Sequence, residues 1–145
     1  MIAFRFTPRP AQGGPSGFDL GDMSVSGPAA AVSSADRAPD QGMMLVPSVG
    51  LLLDQVRALL DAGRGTLAFH GVDSSFRLDF SVAKGSVAVA VRKKAIATVP
   101  APVLVDALLT AAEALARTEL PRLPADDPAR DDFVSSLAAF RALHD

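Results

Sequence analysis

Five side chains in this sequence have the types and spacing to act together on an anion: His70, Arg77, Asp79, Arg92 and Lys94. A histidine titrates near neutral pH and can take or give a proton. An arginine offers a planar fork of N–H donors that grips a carboxylate or phosphate through two parallel bonds. Together they would serve either to dock an acidic partner or to hold an anionic metabolite, in the second case with His70 as base and Arg77 and Arg92 as clamp. The same residues also have a purely structural reading. His70 adjoins Gly71 and suits the flank of a turn, while Arg77 and Asp79 are two apart on one strand face and suit an exposed ion pair, worth ~0–1 kcal/mol.

Other chemistries lack their residues. There is no Gly-x-Ser-x-Gly for an activated serine and no His-Glu-x-x-His for zinc, so no catalytic residue is assigned. Gln12-Gly13-Gly14-Pro15-Ser16-Gly17 lacks the Gly-Lys-Ser/Thr ending that cradles phosphate. The acidic cluster Asp126, Asp127, Asp131 and Asp132 lacks the alternating order of a calcium loop, and carboxylates at a helix start already have work as amide caps. The only glutamates, Glu113 and Glu119, give no pair of acids facing one cleft, and His144 sits at the chain end. With no cysteine, disulfides, thiolate chemistry and Cys-ligated metals are excluded. No cofactor is implied.

The elements that would position the five residues are legible in the alternation between Thr66 and Val99. Phe76, Leu78, Phe80 and Val82 fall on one face, with Arg77, Asp79 and Ser81 on the other. Pairing Phe69 with Phe76 leaves Val72-Asp73 as a turn, and pairing Val82 with Val87 leaves Lys84-Gly85 as another. That register sets Arg77 between Ala68 and Arg92, with His70 near Ser75, over a low floor of Ala68, Ala88 and Ala90. Lys93 breaks the pattern, since its parity would bury it; a bulge, turn or strand end is expected between Arg92 and Lys94. Residues 95–99 either prolong that strand or return as a fourth.

Around this meander the chain predicts an α+β domain spanning 1–145. Ile2, Phe4 and Phe6 open it as a strand that stops before Pro8. A flexible Gly/Pro/Ser-rich loop is expected at 9–17, one or two strands within 18–34, and a loop at 35–42. Helical spacing predicts helices at about 47–62, 102–117 and 128–143, with Gly63 capping the first and Asp127-Pro128 starting the third. The second helix has one narrow polar stripe, Asp106, Thr110, Glu113 and Arg117, so its wide apolar arc must be covered by the third helix or by a second copy in a helix-mediated homodimer.

Composition narrows the partners. The net charge of -2 gives no global pull towards nucleic acid, and no aromatic residue interleaves the basic ones as stacking readers require. The longest apolar run, Met43 to Leu53, contains Pro47 and falls short of the ~20 residues that cross a bilayer. The abundance of Ala, Arg and Asp resembles high-GC bacterial usage, and a cytoplasmic protein is expected. The resulting expectation is a non-enzymatic interaction domain, of adaptor, chaperone or immunity type, that docks an acidic protein partner on the outer sheet face. The alternative is a protein or enzyme that binds a small anionic metabolite.

Overall fold

A computed structural model of the chain describes residues 2–10, 16–35 and 39–144. The middle of the loop expected at 9–17, with most of the glycine run from Gln12, and part of the loop expected at 35–42 lie outside the described residues.

The N-terminal strands form one antiparallel sheet: β1 (Ala3–Pro8), β2 (Leu20–Ser26), β3 (Ala31–Ser33) and β4 (Met43–Met44). β2 is its middle, with β1 on one side and both β3 and β4 on the other. The region 18–34 therefore holds two strands, joined where Gly27 N–H donates to the Ala30 carbonyl at 3.0 Å. Arg9 binds this sheet to the loop before β4. Its Nε and a terminal nitrogen each donate to Asp22 at 2.9 Å, while its terminal nitrogens reach both oxygens of Asp40 at 2.8 and 2.9 Å.

The predicted meander forms a second antiparallel sheet, in the order β5 (Gly65–His70), β6 (Arg77–Ala83), β7 (Ser86–Val91) and β8 (Lys94–Pro100). Val82 pairs with Val87 as expected, and Lys84 and Gly85 both take the left-handed conformation that a two-residue hairpin turn requires. The first hairpin differs from expectation. Phe69 pairs with Leu78 rather than Phe76, a slip of two that leaves every side chain on its expected face. The tight Val72-Asp73 turn gives way to a wider loop because tertiary partners hold it: Val72 N–H donates to Ser48 Oγ at 2.8 Å, and Ser74 Oγ donates to the Gln41 carbonyl at 2.7 Å.

Lys93 is kept out of the core by a turn. Arg92 and Lys93 are both left-handed, at φ 49° and 68°, and Val91 pairs directly with Lys94. Residues 95–99 thus belong to a fourth strand. A bulge follows, since Ala90 pairs with Ala95 but Val89 with Ala97, leaving Ile96 as the extra residue with its side chain buried. The Ile96 carbonyl accepts from Ala29 N–H at 3.1 Å, which joins β8 to the hairpin of the first sheet.

Three helices close the core: α1 (Leu45–Ala62), α2 (Ala101–Glu119) and α3 (Pro128–Arg141). α1 ends at left-handed Gly63, whose N–H reaches back to Leu59 and Leu60, and α3 begins with Asp127 accepting from Ala129 N–H at 2.9 Å. Both ends agree with the sequence. α1 packs on α3 and on strands of both sheets, as α2 packs on β1, β7 and β8. One continuous core results, from Phe4 and Met23 through Leu52 and Leu108 to Phe80, Phe133 and Phe140. α2 is covered over only part of its apolar arc: Leu104, Leu108, Ala112 and Leu115 are buried, whereas Val103 and Ala114 are exposed beside β1.

Candidate functional site

Alternation along β5, β6 and β7 turns small and charged side chains outward, and the register sets them side by side. His70 stands directly opposite Arg77, Asp79 lies between Ala68 and Ala90, and Ser81 lies between Thr66 and Ala88. The alanines keep the floor low. A shallow trough of about 340 Å3 follows, walled by Arg77, Asp79 and Lys93 and floored by Ala68, Ala88 and Ala90. A smaller crevice of about 100 Å3 adjoins it, lined by Arg77, Arg92, Gln41 and Val32 among others. Arg77 belongs to both depressions.

The structure brings together only part of the expected set. Arg77 and Asp79 meet in an ion pair, Nε to Oδ1 at 2.7 Å, and Arg92 shares the crevice with Arg77. His70 and Lys94 are exposed but line neither depression. Two neighbourhoods expected from the sequence change with the register: Arg77 faces His70 instead of Ala68, and His70 is not beside Ser75. No carboxylate is hydrogen-bonded to His70 among the described residues, so nothing orients its ring as a base.

Lys93 is the residue that sequence reasoning missed. Its parity pointed inward, and only the left-handed turn carries it out to the trough wall. The signal was weak because such turns favour Asn and Gly, and here both positions are cations. With it, Arg92, Lys93 and Lys94 form three successive positive charges at the β7–β8 tip. None of the three enters an ion pair among the described residues. Asp79 is the only carboxylate lining either depression among those residues.

Several other acids are engaged elsewhere. Asp127 spends one oxygen on Ala129 N–H and the other on Gly17 N–H, both at 2.9 Å, and Glu113 pairs with Arg141 at 3.0 Å. Arg9 holds the Asp22 and Asp40 carboxyls below the usual carboxylate range through its hydrogen bonds, while the two acids raise the pKa of its own guanidinium. Among the described residues no cluster of His, Asp and Glu could hold a metal ion, and no helix is long and apolar enough to cross a membrane. In comparisons with protein-family models, curated proteins and solved structures, none matches this chain.

Proposed function

We propose that this chain is a non-enzymatic protein-interaction domain, of adaptor, chaperone or immunity type, that docks an acidic partner on the outer face of the β5–β8 sheet. The observation that carries the reading is the pair Arg92 and Lys93, free of ion pairs among the described residues, with Lys93 on the wall of a trough with an alanine floor and Arg92 in the crevice that adjoins it. A low floor lets a partner's backbone approach, and the flanking cations supply charge-assisted bonds to its carboxylates. The metabolite reading is less well supported. The crevice shared by Arg77 and Arg92 is about 100 Å3, below the ~300–1,000 Å3 of ligand pockets, while the adjoining trough of about 340 Å3 holds Arg77 without Arg92 or His70.

The test is the affinity of the protein for an immobilised polyglutamate peptide, before and after the double change Arg77→Glu and Arg92→Glu. Binding should weaken by about tenfold or more while circular dichroism stays the same. Undiminished affinity of the folded variant would remove this face from consideration.

A further inference from the structure

The open edge of β1 and the flank of α2 enclose a groove of about 660 Å3, at a different place from the outer face of the second sheet. β1 lines one side along its whole length, and α2 lines the other with Asp106, Ala107, Thr110, Ala111 and Ala114 among its residues, Arg5 and Asp106 being the groove's two charged side chains among the described residues. Its directionality follows from the ladder. Arg9 N–H donates to the Leu20 carbonyl at 3.0 Å, and the same antiparallel register sets Thr7 opposite Asp22 and Arg5 opposite Ser24. In such a ladder, residues that exchange bonds with one neighbour alternate with residues whose N–H and C=O point the other way. Arg9, Thr7, Arg5 and Ala3 therefore bond to β2, whereas Phe4 and Phe6 direct their N–H and C=O into the groove. Pro8, which has no N–H to offer, falls on an outward position, as proline on an edge strand must. Among the described residues no strand but β2 pairs with β1.

We propose that this groove takes one extended segment of a partner protein, added antiparallel to β1 as a further strand, with an acidic residue opposite Arg5 and apolar residues on either side of it. Addition to an open edge gains main-chain hydrogen bonds, and alternate side chains give the specificity. Arg5 sets the acidic position. It is exposed and has no ion pair among the described residues, and a side chain directly across from it would stand on the same face ~4.5–5.5 Å away. The apolar positions follow from parity. Residues opposite Phe4 and Phe6 point towards the helices, where Ala107, Ala111 and Ala114 leave room for larger side chains.

The far wall limits the occupant to a single strand. A second copy pairing β1 with β1 would bring its own β2 in next, ~4.8 Å further on, where α2 stands. Arg5 also guards the edge, because an unpaired charge in mid-strand discourages indiscriminate pairing. An acid in the partner turns that obstacle into an attraction.

The experiment uses a fluorescein-labelled peptide with glutamate at its centre, valines at alternate positions beginning next to it, and threonines between them. Fluorescence anisotropy with the full chain should show saturable binding. Affinity should fall about tenfold when the glutamate is replaced by lysine, and as much when the two central valines are N-methylated, since that removes the strand's donors. Arg5→Glu should reverse the preference between the glutamate and lysine peptides. Ala114→Phe, which fills the groove from an exposed position, should weaken both; circular dichroism verifies that each variant is folded. Absence of saturable binding, equal binding of the N-methylated peptide, or indifference to Arg5→Glu would overturn the proposal. A concentration-dependent dimer lost in Ala114→Phe would overturn it too, by giving the edge to a second copy. Arg77→Glu with Arg92→Glu should leave peptide binding unchanged, so the two surfaces succeed or fail separately.

Discussion

Arg77 and Asp79 are joined by a hydrogen bond of 2.7 Å that runs along one strand, on the face proposed to receive the partner. The pair is substantially exposed, so its intrinsic value is ~0–1 kcal/mol, small enough to be exchanged for a partner's carboxylate. Asp79 is therefore a competitor for its own arginine. Asp79→Asn should tighten polyglutamate binding by about two- to fivefold, the counterpart of that energy. Titration at low salt checks this, and weaker binding would mean that Asp79 orients Arg77 for the partner.

Lys93 bears on the rate of encounter more than on the final complex. Lys93→Glu should slow association with polyglutamate by about tenfold at low ionic strength and flatten its salt dependence, with dissociation little changed. Stopped-flow mixing across a salt series separates the two rates. A change confined to dissociation would place Lys93 in the bound interface.

Ser48 is fully buried at the start of α1 and works in both directions, donating to the Met44 carbonyl at 2.7 Å and accepting from Val72 N–H at 2.8 Å. Ser48→Ala would strand the Val72 donor, and a buried group left without its partner costs ~1–3 kcal/mol. Urea denaturation should show that loss, with faster amide exchange in residues 71–76. A loss without the local exchange change would assign the cost to α1 instead.

Acid should undo the Arg9 cluster. Asp22 and Asp40 are both held below the usual carboxylate range by Arg9, so their folded pKa values lie under the unfolded ones. Their contribution to stability is complete above pH ~4, where the unfolded carboxylates are ionised, and is lost as pH falls through the depressed folded values. Arg9→Met should thus lower the urea midpoint at neutral pH, and its curve should converge with that of the native chain in stronger acid. Parallel curves across that range would show that the ion pairs contribute nothing.

Features set by neighbours in sequence were readable, and features set by distant groups were not. The helix ends at Gly63 and Asp127, the Lys84-Gly85 turn and the inner face from Leu78 to Val89 rest on local conformation and period. The first hairpin slipped by two because Ser48 and Gln41, far away in sequence, hold its loop open. Likewise β4 has two residues and no pattern of its own; its pairing with Leu20 and Gly21 defines it. On the candidate site, the placement of Arg77 and Asp79 on one face with Arg92 nearby was legible from parity alone. The break at Lys93 announced the turn between Arg92 and Lys94 but not that the turn would carry Lys93 to the trough wall, and His70 was over-connected because the first hairpin's loop was read too short.

The extra residue in β8 has a consequence for how the molecule comes apart. By interrupting the ladder it leaves the Ile96 carbonyl to accept from Ala29, and the chain crosses there so closely that a side chain on Gly27 would sit 2.5 Å from that oxygen. An irregularity in one sheet is thereby the stitch that fastens it to the other. Neither half has a complete boundary of its own, so amides in β2 and β7 should exchange through a shared global opening, with no surviving fragment for a protease to release.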